Sequence, residues 1–145
     1  MDDAIISSFN EFKKELPDIL EIYSHHEQTF DSWSIHGRMH ICRTLIFGEF
    51  MLRYYYANTQ LKPRWEDVRY AIAFHDSGRQ GNGIDIWEKD SANICTQYLS
   101  SEHSFNEQRS KKVGEMIEKD GSIGWILEKR IVHDADVLEI MRPVC

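Results

Sequence analysis

Three short stretches, IHGRMH, FHDSGR and VHDADVLEI, carry imidazole and carboxylate groups in separate parts of the chain. His36 and His40 stand at i and i+4, so on a helix both rings leave one face a turn apart. Such a pair can bind a metal or be an ordinary surface pair. His75 completes the series Val68, Ala71, Ile72, His75 and so continues an apolar stripe. A histidine there is either hydrogen-bonded in the core or bound to something. Asp76 follows directly, and a carboxylate at the inner end of an apolar helix is costly unless a cation or donors compensate it. In the third stretch His133 and Asp136 share a face, with Val132 and Ile140 each one turn from Asp136. Asp136 is therefore expected to point inward and Asp134 to be solvated. Neutral imidazole with carboxylate suits a divalent transition metal or magnesium, and the absence of paired cysteines argues against a closed zinc site.

Helices must position these groups. Apolar residues recur at Ile5, Phe9, Phe12, Leu16, Leu20 and Tyr23, a helical period that Pro17 should kink or divide. A second helix is expected over about 35–57, capped by Ser34, and a third from Pro63 to about Asp76. The glycine-rich SGRQGNGIDI reads as a surface loop that gates substrate. It lacks the lysine and strand-to-helix context of a phosphate-binding P-loop. Asp85 with Glu88, and Ser104 with Glu107, have capping-box spacing and open a fourth and a fifth helix, the latter ending near Asp120. A sixth runs through GWILEKRIVHDADVLEIM to Pro143. No alternating strand pattern, internal repeat or linker is visible, which predicts one all-α domain over 1–145, a bundle of about six helices with residues 1–30 as an N-terminal helical segment.

In order and spacing, His40 in HICRTL, His75 and Asp76 in FHDSGR, and Asp136 in DADVL resemble the HD-domain phosphohydrolases over about 35–141. The resemblance implies a helical domain and a divalent ion (Mn, Fe, Co, Ni, Mg or Zn) held by His40, His75, Asp76 and Asp136. The family's last aspartate usually precedes x-Leu, which selects Asp136 over Asp134. His103, in a polar loop, is expected to be solvated, so one ion is implied rather than several. Arg79 and Gln80 stand where enzymes that split guanosine polyphosphates carry acids, which disfavours that reaction. The combination of IHGRMH, FHDSGRQGNGIDIW and DADVLEI also resembles the phosphodiesterase domain of SidE-type effectors, in which histidines and a glutamate are implicated and a metal need not be. Gln80 occupies one expected position of that glutamate, and Glu88 is the nearest acid beyond it.

The formal net charge of −7 argues against non-specific nucleic-acid binding, which needs a clustered positive surface. No run approaches the length needed to span a bilayer, and no basic start leads into an apolar segment, so the cytoplasm is the expected location. Cys42, Cys95 and Cys145 are unpaired in spacing and read as free thiols. The short tail beyond Asp136 admits a homodimer. These readings lead to a phosphohydrolase acting on a small, nucleotide-like phosphate ester through a metal-activated water. Arg79 is placed to hold the phosphate or lie as a surface arginine, and Arg43 to pair with a carboxylate. His36 and His133 flank the implied ligands as candidate proton donors to the leaving group. The alternatives are metal-independent phosphodiester cleavage by His36 and His133, or a non-catalytic module binding a nucleotide or a partner.

Overall fold

Glycine at position 48 explains how the first long helix meets its neighbours. A computed structural model describes Lys14 and residues 18–23, 36–81, 83–102, 105–121 and 123–141, with the side chains of residues 20 and 21 outside the description. Helix α1 spans Ile19–Tyr23 and α2 spans Arg38–Asn58. The buried face of α2 runs His40, Ile41, Thr44, Leu45, Gly48, Glu49, Leu52, a helical period with a glycine at its middle. A Cβ on Gly48 would overlap the Ile72 side chain, so the missing methyl lets α2 approach closely. The neighbours it meets are α3, Trp65–Phe74, and α6, Leu127–Ile140, whose Ala135 adds another small residue at the crossing.

Every residue of α3 from Asp67 to Phe74 is buried, as expected of a helix surrounded by others. It touches α2, α6, α4 (Glu88–Ser101) and α5 (Glu107–Glu115). Its acidic first turn, Glu66 and Asp67, complements the helix dipole and is gripped by Arg109 of α5, with Nη2 2.6 Å from each carboxylate. Helices α4 and α5 form a close pair where Gly114 sits against the Ala92 carbonyl and Thr96. Tyr23 of α1, almost fully buried, donates its hydroxyl to the Ala73 carbonyl at 2.8 Å. The described residues are all helix, turn and loop, with no strand, in line with the all-α expectation. Among them no helix is long and apolar enough to cross a membrane.

Several boundaries differ from expectation for local reasons. Helix α2 begins at Arg38 behind Gly37, which provides no side-chain cap; Ser34 lies outside the described residues. Helix α3 starts two residues beyond Pro63 and ends at Phe74, because Ser77 turns its amide (2.9 Å) and hydroxyl (2.7 Å) onto the Phe74 carbonyl. His75 and Asp76 therefore sit in the turn after the helix. The Asp85 capping box is not formed: Trp87 holds the cap position of α4 while Asp85 pairs with Arg79 and Lys119. Asn106, whose side chain accepts from the Arg109 amide at 2.9 Å, caps α5, and Ser104 lies outside the description. Helix α5 stops at Glu115, and α6 begins at Leu127 after a turn in which Gly124 takes φ +97. Most of the 1–30 segment, Cys145, Pro143 and His103 also fall outside the described residues. Cys42 and Cys95 are free thiols.

Candidate functional site

Ending α3 at Phe74 aims His75 and Asp76 across the ends of α2 and α6. His40 Nε2 lies 3.1 Å from His75 Nε2 and 3.2 Å from Asp136 Oδ1. Asp76 Oδ2 is 3.7 Å from both of those imidazole nitrogens, and Asp136 Oδ1 is 3.6 Å from His75 Nε2. His36, just ahead of α2, places Nδ1 3.1 Å from the same Asp76 oxygen. The structure thus brings His36, His40, His75, Asp76 and Asp136 to one place. Asp134 is exposed, as its position on the helix suggested.

The outer nitrogens of the two central rings settle their orientation. His75 Nδ1 lies 2.8 Å from the Ile72 carbonyl, an acceptor, so that nitrogen carries a proton. His40 Nδ1 lies 2.6 Å from Glu139 Oε2 and donates to it. In their neutral forms both rings therefore turn bare Nε2 lone pairs toward each other and toward two carboxylate oxygens. Four acceptors at 3.1–3.7 Å need a positive charge among them. Burial lowers the pKa of His40 despite the nearby carboxylates. Burial acts the same way on His75, but the Asp76 and Asp136 carboxylates outweigh it and push that ring up to about 9. Burial opposes ionisation of Asp76 and Asp136, yet the adjoining imidazoles, with Arg79 beside Asp76, hold both well below the usual carboxylate range. The donor set also fits a divalent ion: ligand atoms of His40, His75 and Asp76 lie within 4.8 Å of one another, imidazole nitrogen mixed with carboxylate oxygen.

Arg79 is not a surface arginine. Its side chain is buried, with Nε 3.1 Å from Asp76 Oδ1, Nη1 3.3 Å from the Gly81 carbonyl and Nη2 2.8 Å from Asp85. The glycine-rich segment is correspondingly only half a surface loop: Ser77, Gly78 and Arg79 are buried, and Ile84 and Ile86 are exposed. Arg43 pairs with Glu139 at 2.5 Å, the carboxylate partner expected for it. Glu139 is the residue that sequence reasoning missed. Ile140, assigned to the inner face, is half exposed, while Glu139 is fully buried. Its spacing of three from Asp136 was the available signal.

His133 lines a small recess with His75, Asp76, Glu88, Lys119 and Asp136. Trp125 covers its ring at 4.7 Å, a hydrogen bond to the Met116 backbone occupies one nitrogen, and Nε2 is buried without a partner among the described residues. Burial, helped by Lys119, lowers its pKa to about 4, so the ring is neutral at neutral pH. Glu88 faces this recess whereas Gln80 is exposed, which makes Glu88 the nearby glutamate. Lys119, also missed, spans Asp85 at 2.8 Å and Glu88 at 3.3 Å at the rim. It was expected in the last turn of a helix reaching Asp120 and lies instead in the loop beyond Glu115. On the far side of Trp125 lies a groove of about 700 Å³, bordered by Lys112, Met116, Ile126, Lys129 and the acids Glu115, Glu118 and Asp120.

A helical bundle that gathers imidazoles and carboxylates beside a lysine-rimmed recess has the equipment of an acid–base centre for anionic esters. The chain belongs to the SidE phosphodiesterase (PDE) domain family, whose model matches residues 13–143. That membership makes it a phosphodiesterase domain, a hydrolase of phosphate esters. No curated protein and no solved structure matches the chain.

Proposed function

We propose that this chain cleaves a phosphodiester in a nucleotide-like molecule, at the recess where α2, α6 and the turn after α3 meet. The observation that carries the reading is the convergence of His40 Nε2, His75 Nε2, Asp76 Oδ2 and Asp136 Oδ1 beside the unpartnered His133 Nε2. His40 Nε2, His75 Nε2 and an Asp76 oxygen, the mutually close set, would hold one divalent ion of the Mn, Fe, Co, Ni, Mg or Zn type, with Asp136 Oδ1 beside the two imidazoles. Such an ion, when bound, lowers the pKa of water and polarises a phosphoryl oxygen. Arg79 orients Asp76 by taking its other oxygen, and Lys119, paired with Asp85 and Glu88 but far more exposed than the buried Arg79, is the cation at the rim that meets the substrate's phosphate. His133, neutral, lining the recess and with Nε2 unpartnered among the described residues, accepts a proton from the attacking water, in place of the donor role its sequence position suggested. His36, half-buried and tied to Asp76, is the proton donor to the leaving group. Trp125 and the adjoining groove, with Lys112 and Lys129, suit the base and remaining charge of a nucleotide, and the groove's size is that of small-molecule sites.

A second reading has its own support. With His75 raised to about 9, one proton already supplies the positive charge among the four acceptors. Cleavage would then run on His36, His133 and Glu88 without an ion.

The test is turnover of bis(4-nitrophenyl) phosphate by protein purified without chelator, with metal content measured in the same sample. The expectation is about one equivalent of bound metal, activity lost in EDTA and restored by manganese. His133→Gln should lower turnover roughly 100-fold while the metal stays bound. Full turnover in EDTA selects the second reading. No turnover under any metal condition, extended to dinucleotide substrates, refutes both and leaves a binding module.

A further inference from the structure

Glu139 is fully buried on α6, yet it touches neither the recess nor solvent. Its two oxygens are divided: Oε2 takes His40 Nδ1 at 2.6 Å and Oε1 takes Arg43 Nε at 2.5 Å. We propose that Glu139 is a positioning residue of the phosphodiesterase centre, fixing His40 as the Nδ1–H tautomer so that its Nε2 lone pair faces His75, Asp76 and Asp136. This rests on the site assignment made above and extends it to a residue outside the recess.

The chemistry allows little else. A carboxylate can only accept, so the nitrogen facing it must carry the proton, and in a neutral ring the opposite nitrogen is then bare. Arg43 can only donate, so it anchors one oxygen and leaves the other to the ring. The hydroxyl of Thr44, 3.0 Å from the His40 carbonyl, holds the backbone of the same turn. A carboxylate behind a histidine is the arrangement that fixes ring orientation and raises its basicity.

Glu139→Gln makes the inference sharp. Arg43 claims the amide oxygen, so the amide NH2 must face His40 Nδ1. The ring proton then moves to Nε2 and points into the centre. The shape of the site is kept while its lone pair is lost, as happens when the acid behind a catalytic histidine becomes an amide. Glu139→Asp retains the acceptor at a longer reach and is the rescue variant.

Two readouts test it together. Nitrogen-15 NMR of chelator-treated protein reports the His40 tautomer, and turnover of bis(4-nitrophenyl) phosphate reports function. Nδ1–H is expected in the natural chain and in Glu139→Asp, and Nε2–H in Glu139→Gln. The turnover number is expected to fall about 10–100-fold in the glutamine variant and only a few-fold in the aspartate variant. An unchanged tautomer in Glu139→Gln overturns the inference, as does equal turnover in the glutamine variant and the natural chain. The expected tautomers in a chain without turnover leave Glu139's positioning intact and refute the activity.

Discussion

Gly78, between Asp76 and Arg79, can be probed with one methyl group. A Cβ there would lie 2.5 Å from the Ser91 nitrogen, 2.6 Å from Asp90 Cβ and 2.8 Å from the Asp90 carbonyl carbon. Two of these atoms are backbone of the first turn of α4, so no change of rotamer relieves the clash. That turn must retreat by about 1 Å to reach ordinary contact. Overpacking of this kind costs about 1–3 kcal/mol. Retreat also stretches the 2.9 Å bond from the Gly78 amide to Ser91 Oγ, which adds about 1 kcal/mol. For a domain of this length, about 2–4 kcal/mol lowers Tm by roughly 6–12 °C. Gly81→Ala is the matched control, since nothing lies within 4 Å of a Cβ at that position. It should melt with the natural chain or slightly above it, through a less flexible unfolded state. Because α4 carries Glu88 into the recess, Gly78→Ala should also lose turnover well below its own Tm. Equal melting points for Gly78→Ala and Gly81→Ala in a thermal scan would refute the claim that α4 rests directly on the His-Asp turn.

Two other outcomes follow from the charges. Folding raises His75 to about 9, so in chelator the folded chain holds this proton more tightly than the unfolded one. The associated stability, about 3 kcal/mol, is complete below roughly pH 6.5 and is lost as pH rises through 9. Asp76 and Asp136, held below their usual range, act in the opposite sense: their stability is present above about pH 4 and lost in acid. Urea midpoints should therefore fall between pH 6.5 and 9.5 in the natural chain and stay level in His75→Gln; a level profile in both removes the imidazolium. Separately, Lys119→Met should raise KM for the aryl diester roughly fivefold with a smaller change in kcat, the worth of one partly exposed charge. An unchanged KM would remove Lys119 from phosphate binding.

The helical class and the inward faces of His75 and Asp136 were legible because periodicity fixes which residues share a face; that His40 and Asp76 join them came from the family resemblance. The errors cluster where that logic stops. Ile140 and Glu139 are adjacent, and choosing the apolar one for the inner face is sound unless a buried partner awaits the acid. That partner, His40, lies 99 positions away in sequence, and no local pattern announces it. Asp85 fits a helix cap equally well in one dimension, but Arg79 and Lys119 compete for its oxygens only once the chain has folded. Arg79 was left open between a phosphate and the surface for the same reason: the carboxylates of Asp76 and Asp85 meet its forked donors only once the chain has folded.

The proton and the ion proposed for this site are rivals for the same lone pair. Around the centre, Asp76, Asp136 and Glu139 bring three negative charges, and Arg79 and Arg43 bring two positive ones. Protonating His75 closes that difference, and the adjacent Asp76 and Asp136 carboxylates hold its proton up to about 9. A divalent ion would need His75 Nε2 bare, so it must displace this proton. Neither Glu139 nor Arg79 distinguishes the two occupants, because each acts on a ligand's far side and orients His40 or Asp76 identically in both cases. The scaffold therefore prepares a place for one concentrated positive charge. An ion fills it at neutral pH once its affinity exceeds the penalty of deprotonating a histidine about two pH units below its folded pKa, about 3 kcal/mol.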